Sequence, residues 1–212
     1  MRFEFATANR ILFGPGTLAE APPTIREMGS RALVVTGRSA RHAAPFIAML
    51  EAAGVFAVPF AVEGEPAVGR VREGAGLARL ERCDLVASIG GGSPIDAGKA
   101  IAALATNSGE PLDYLEVVGK GQPLRDPPLP FVAVPTTAGT GAEVTRNAVL
   151  TVPEHRVKAS LRSPKMLARL AVVDPELTCD LPPAITAATG LDALTQLIEP
   201  YVCLRANPMT DS

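Results

Sequence analysis

The chain has 212 residues, a formal net charge of −2 and an apolar fraction of 47%. That length holds one large domain or one and a half ordinary ones, with enough apolar residues for a packed core. The near-neutral charge gives no general attraction to nucleic acid or an anionic membrane, and no apolar run approaches the roughly 20 residues of a membrane helix. The N-terminus, MRFEFATANRILFG, carries no long apolar core of a signal peptide and no cleavage signal, so a cytoplasmic location is expected. The alternation in RFEFATANRILFGPGT predicts an N-terminal hairpin or edge pair.

From there a short strand, a turn and a helix recur. Arg31–Gly37 (RALVVTG) reads as a buried strand, and Ala40–Gly54 as an alanine-rich helix ended by glycine. Val55–Val62 is a second strand whose Pro59 marks an edge or a bulge. Val68–Glu81 is a weaker helix, Asp84–Gly90 (DLVASIG) a third strand, Pro94–Asn107 a third helix and Leu129–Thr137 a fourth strand. Strands rich in Val and Ala, apolar on both faces and separated by helices, predict an α/β fold with a mostly parallel sheet covered on both sides. Glu143–Leu161 reads as a further β pair around a proline-containing turn. Near residue 180 the texture changes, and Pro182–Leu204 is helical. The division expected is an α/β domain over residues 1–180 and the beginning of an all-α domain over residues 181–212. Cys83, Cys179 and Cys203 are odd in number, widely spaced and form no CxxC, so they read as small reduced core residues.

The third strand ends in GGGSPIDAGKA. In a parallel sheet, ligands gather at the carboxyl ends of the strands. Glycines there let a ligand approach the backbone. Ser93 is a good N-cap, Pro94 suits the first helical position and Asp96 lies in the first turn. The helix thus starts straight after the glycines and aims its free N–H groups and positive dipole end into the loop, which suits a phosphate or pyrophosphate. A nucleoside-triphosphate loop is excluded, because Gly92 and Gly98 are one residue too far apart and Ala100 follows Lys99. The GxGxxG fingerprint is absent too, since Ile95 stands at its last glycine. A second loop, PTTAGTGAEVT, follows the next strand. Its Thr136, Thr137, Thr140 and Thr145, set around Gly139 and Gly141, suit hydrogen bonding to a phosphate or a carboxamide.

Together, GGGSPIDAGKAIA, PTTAGTGAEVT and DPELTCDLPPAITAATGLDALTQLIEPYV resemble the iron-containing (group III) alcohol dehydrogenases, from about Asn9 to the end of the chain. The resemblance implies a Rossmann-like dinucleotide-binding domain, a helical domain, and a cleft where NAD(P) and a divalent metal, usually iron, meet a small alcohol or aldehyde. It implies that Gly91, Gly92 and Ser93 hold the pyrophosphate and that Asp96 lies beside the nicotinamide end. Thr136, Thr137 and Thr140 would line the groove, and Lys158 and Leu177 match positions that touch the cofactor. Many NAD-preferring members carry Asp where Gly37 stands. Gly37 removes that charge, and Arg38 with Ser39 can meet a 2′-phosphate, which favours NADP, or tolerance of both cofactors. A homo-oligomer is expected.

Asp192 and Gln196, four residues apart on a predicted helix, share a face. The resemblance implies metal there, Fe²⁺ or Zn²⁺, with an aspartate and a histidine as the first two ligands; Asp192 would be the catalytic metal ligand and Gln196 replaces the histidine. An amide oxygen is the weaker ligand for such a metal. The family's further ligands are histidines later in the helical domain, and His42 and His155 read as ordinary surface residues. Two main readings result: a metal-dependent NAD(P)-linked dehydrogenase or aldehyde/ketone reductase, and a truncated NAD(P)-binding fragment without the metal site. A sugar-phosphate cyclase relative is a weaker third reading, opposed by LDALTQLIEPYV. The apolar face of Ile185, Leu194, Leu197 and Ile198 predicts self-association if it is left uncovered.

Overall fold

Successive side chains of the strand Arg31–Thr36 (β2) face opposite ways, and both sets are apolar: Ala32 and Val34 on one side, Leu33 and Val35 on the other, all fully buried. Such a strand requires cover on both faces. The computed structural model, which describes residues 2–38 and 41–210, supplies it. Phe56–Ala61 (β3) lies on one side of β2 and Leu85–Gly90 (β4) on the other. Beyond β4 come Phe131–Pro135 (β5), Leu170–Val173 (β8) and Ile11–Phe13 (β1). The six strands run parallel in the order β1-β8-β5-β4-β2-β3.

Parallel neighbours need crossover connections, and helices provide them. Thr17–Arg26 (α1) and Ala43–Ala52 (α2) cover one face through Leu18, Ala21, Ile25, Phe46 and Leu50. Val68–Leu80 (α3) and Gly92–Thr106 (α4) cover the other through Val71, Ala75, Ile95 and Ile101. On that face an antiparallel hairpin, Asn147–Val152 (β6) and Val157–Arg162 (β7), packs beside α4 and turns through Pro153–His155. The chain leaves β3 at one edge and re-enters at β4 on the far side of β2. The carboxyl ends of β2 and β4 therefore form a topological switch point, where such sheets open a crevice.

Several expectations meet corrections. Among the described residues no N-terminal hairpin forms: β1 is a three-residue edge strand that pairs in parallel with β8, because Gly14, Pro15 and Gly16 lead into α1 rather than into a returning strand. The helix α1, with Pro22 and Pro23 inside it, has no clear sequence signal. It persists because its apolar face is buried and because buried Asp174 accepts N–H groups of Gly16 at 3.2 Å and Leu18 at 3.1 Å at its start. The four-residue β8 is too short to show a period, as is the four-residue helix α5 (Pro111–Tyr114). Pro59 sits on β3, which is indeed the sheet edge. Of the cysteines only Cys83 is buried; Cys179 and Cys203 are exposed, and all three are free. The predicted last helix is Pro183–Val202 (α6), and none of its residues is buried. Among the described residues no helix is long and apolar enough to cross a membrane.

Candidate functional site: a crevice at the switch point

A crevice of about 330 Å³ opens at the switch point. Gly37 and Arg38 line it after β2, and Gly90, Gly91, Gly92 and Ser93 after β4; Thr136 at the end of β5 and His42 at the start of α2 also line it. His42, expected to be an ordinary surface residue, is therefore a wall of the crevice, a position that the linear spacing from Gly37 does not reveal. Ser39 lies outside the described residues.

The glycine corner is tighter than its sequence suggests. Gly90 has φ 152°, and a Cβ there would lie 2.7 Å from Pro94 Cγ. Gly91, extended, is the N-cap, and α4 begins at Gly92. This corrects the expected cap at Ser93 and first helical position at Pro94: Gly90 and Gly91 complete the turn, and Ser93 falls inside the first helical turn. No side chain caps the helix. Pro94 has no N–H, so the main-chain donors of the first turn are those of Gly92 and Ser93. Buried Ser88 on β4 donates its hydroxyl to Pro94 O at 3.0 Å and fixes the first turn to the strand.

The threonine loop lies over this corner. Thr136 N–H donates to Gly90 O at 2.9 Å, which joins the ends of β5 and β4. The Thr137 side chain sits 3.5 Å from where a Gly91 Cβ would be, and Thr140 sits 3.2 Å from that of Gly92. One turn into α4, the Asp96 carboxylate accepts Val149 N–H at 3.1 Å and stands 3.7 Å from Lys99 Nζ. Lys158, on β7, is exposed and pairs with Glu65 at 2.9 Å. Leu177, in a 3₁₀ turn after β8, packs into the core face that α1 and α2 cover.

Lys99, three residues after Asp96 on α4 and given no role by its sequence context, is buried at 1% exposure. Its ammonium donates to Ala142 O and Asn147 O, each at 2.6 Å, and to Thr145 Oγ1 at 3.1 Å. Burial pulls its pKa down to about 8, against the upward pull of Asp96 and Glu143. Burial likewise raises Asp96, although Lys99 and the Val149 N–H act to lower it. For both members of this pair, desolvation outweighs mutual attraction. Glu143 is also raised by burial. On β6 the side-chain oxygen of Asn147 is buried and has no hydrogen-bond partner among the described residues.

Asp192 and Gln196 do share one face of α6, and they reach the same loop. Gln196 Nε2 donates to Asp192 Oδ2 at 3.1 Å and to Gly139 O at 3.3 Å. Both partners are acceptors, which requires the amide nitrogen to face them. A cation held by Asp192 would need the amide oxygen there instead. Among the described residues no three His, Cys, Asp or Glu side chains cluster as metal ligands. One carboxylate and one N–H donor do not fit a divalent metal. His155, in the turn between β6 and β7, is exposed and distant in sequence from both.

Comparison with known proteins gives a consistent result. The family model described as iron-containing alcohol dehydrogenase matches residues 8–175. Alcohol dehydrogenase 4 of Schizosaccharomyces pombe is 41% identical over 206 residues, covering 95% of this chain and 48% of that protein. The 1,3-propanediol dehydrogenase of Klebsiella pneumoniae is 38% identical, covering 99% of this chain and 55% of that protein. Among solved structures, a 1,3-propanediol oxidoreductase superposes with a TM-score of 0.92 at 38% identity over 100% of this chain and 56% of that one. A sulfoacetaldehyde reductase of Bifidobacterium kashiwanohense, in complex with NAD⁺, superposes with a TM-score of 0.87 at 34% identity over 95% of this chain and 54% of that one. The chain spans about half the length of the curated relatives it matches. With the model matched over most of its length and relatives this similar, the chain belongs to the iron-containing alcohol dehydrogenase family.

Proposed function

We propose that this chain forms the dinucleotide-binding part of an NAD(P)-linked alcohol dehydrogenase, or aldehyde or ketone reductase. In this reading residues 1–180 are the cofactor domain and residues 181–212 begin the helical one. The observation that carries it is the glycine corner at the switch point: an uncapped helix start beside three glycines, with the threonine loop packed over it. A side chain at Gly90 would collide with Pro94 and one at Gly92 would crowd Thr140, while Gly91 leaves the backbone between them bare, which suits a phosphate group approaching the main chain. When bound, the nicotinamide cofactor supplies or accepts the hydride exchanged with a small alcohol, aldehyde or ketone.

In that arrangement the N–H groups of Gly92 and Ser93 bind the diphosphate, and the helix dipole stabilises its charge. The hydroxyls of Thr136, Thr137 and Thr140 orient the rest of the cofactor along the groove. Asp96 lies beside the nicotinamide end and holds the β6 edge through Val149 N–H. Lys158 and Leu177, which do not line the crevice, are the further residues proposed to touch the cofactor. At the adenosine end Gly37 leaves room and adds no negative charge, and Arg38 lines the same crevice, so NADP is the preferred cofactor and NAD is tolerated. Asp192 is the residue proposed to act with a metal, Fe²⁺ or Zn²⁺, with Gln196 as its neighbour. The Gln196 N–H directed at the Asp192 carboxylate does not fit that role.

That hydrogen bond favours a second reading, a nucleotide-binding unit that does not transfer hydride by itself. The test follows NADPH oxidation with short aldehydes, with and without added Fe²⁺ or Zn²⁺. Metal-dependent turnover that is lost in Asp192→Ala supports the dehydrogenase. Nucleotide binding without turnover supports the binding unit.

A further inference from the structure

We propose that Lys99 is a positioning residue for the nucleotide crevice: its buried ammonium pins the segment after the threonine loop to α4 and so holds Thr137 and Thr140 over Gly91 and Gly92. The inference rests on the dinucleotide reading of that crevice, but its mechanical half stands on contacts alone.

A lysine in the core-facing side of α4 needs a reason, because a charge removed from water is costly unless it is fully hydrogen-bonded. Here every N–H of the ammonium has an acceptor: the carbonyls of Ala142 and Asn147 and the Thr145 hydroxyl. All three acceptors lie within residues 142–147, from the last part of the threonine loop to the first residue of β6. Ala142 and Asn147 bracket that segment, so one side chain closes both of its ends. The Ala142 carbonyl also takes the Thr145 hydroxyl at 3.2 Å, and Thr140 Oγ1 accepts Ala142 N–H at 3.3 Å. Ala142 is therefore the joint between the lysine and the threonines. One turn earlier on α4, Asp96 holds Val149 N–H, so an i,i+3 pair grips two successive parts of the chain.

The side chain does not reach the nucleotide itself. Lys99 is absent from the lining of the crevice and instead borders a second cavity of about 320 Å³, whose lining also includes Lys165 and Arg169. The charged groups that act on it are Asp96 on its own helix and Glu143 in the loop; Lys165 and Arg169 share the lining of that cavity. Its action on the cofactor is indirect, through the loop.

The test uses Lys99→Met, which keeps the length and removes the donors. Amide exchange over Thr137–Thr145 is measured without nucleotide, and NADP⁺ and NAD⁺ affinity by calorimetry. Ile101→Val, on the same helix and buried, serves as a control for general destabilisation. The expected result is loop exchange faster by about tenfold and nucleotide affinity weaker by about tenfold in Lys99→Met, a size set by lost hydrogen bonds to a charged group. Ile101→Val should leave both unchanged. If Lys99→Met does not fold, Thr145→Val removes one acceptor with little change of shape, and should speed loop exchange by about threefold. Unchanged exchange and affinity in the folded variant, or equal losses in the Ile101 control, would overturn the assignment. Wild-type protein that binds neither nucleotide would instead remove the dinucleotide reading, while the exchange data would still decide the clamp.

Discussion

The crevice between β2 and β4 and the helix α6 are built on opposite terms. Around the crevice nearly every strand residue is buried, the first turn of α4 is tied to the strand by Ser88, and Lys99 closes the loop above it. Along the 20 residues of α6 none is buried, and Leu191, Leu197, Tyr201 and Val202 are each more than half exposed. One region is positioned by its own packing. The other carries side chains of the right type, Asp192 and Gln196, and its Gln196 donates to the carbonyl of Gly139 in the threonine loop. A nucleotide site needs only the first kind of construction. A metal centre needs several converging ligands, and one helix does not provide them.

The contrast can be broken most forcefully at Gly90. A Gly90→Ala side chain would combine an unfavourable positive φ with collision against Pro94, and should cost about 3 kcal/mol of stability by denaturant unfolding. An unchanged midpoint would mean that the corner is looser than its contacts require.

The next effect is electrostatic. Lys99 titrates near 8 in the fold, below its ordinary value of 10.5, so between those values the unfolded chain holds a proton that the folded chain has released. Stability contributed by this group therefore rises with pH across that window, by up to about 1.4 kcal/mol per pH unit, and is flat below about 8. The difference in stability between wild type and Lys99→Met, followed from pH 7 to 10, should show that slope. A difference independent of pH would contradict the burial of the charge.

At the adenosine end, Gly37→Asp places a negative charge beside Arg38 in the crevice lining. It should move the ratio of NADP⁺ to NAD⁺ affinity at least about tenfold toward NAD⁺. No change in the ratio would relocate the 2′-phosphate away from Arg38.

The smallest effect belongs to α6. Asp192→Ala or Gln196→Ala should alter stability by no more than about 0.5 kcal/mol, because Gln196 is exposed and Asp192 only half-buried. Gln196→His should raise Zn²⁺ affinity above that of wild type. Wild-type affinity equal to that of the histidine variant, and weakened in Gln196→Ala, would make the glutamine a ligand rather than a donor.

Much of the first region was legible because its signals are local. Valine-rich runs, the GGGSP corner and Pro59 on an edge strand each carry their structural meaning within a few residues. What escaped depends on distant partners. Helix α1 holds two prolines and is secured by Asp174, more than 150 residues away. Lys99 looks like an ordinary helical lysine until the Ala142–Asn147 segment arrives over it. His42 joins the crevice only because α2 starts beside the glycine corner. The expected Ser93 cap failed by two residues, since Gly90 and Gly91 finish the turn before the serine is reached.

Titration calorimetry of the folded polypeptide with NADP⁺ and NAD⁺, without metal, bears most directly on the central claim. One site should give heat with both nucleotides and bind NADP⁺ more tightly. Absence of heat with either, on protein with an intact unfolding transition, would contradict the diphosphate cradle at Gly91 and Gly92.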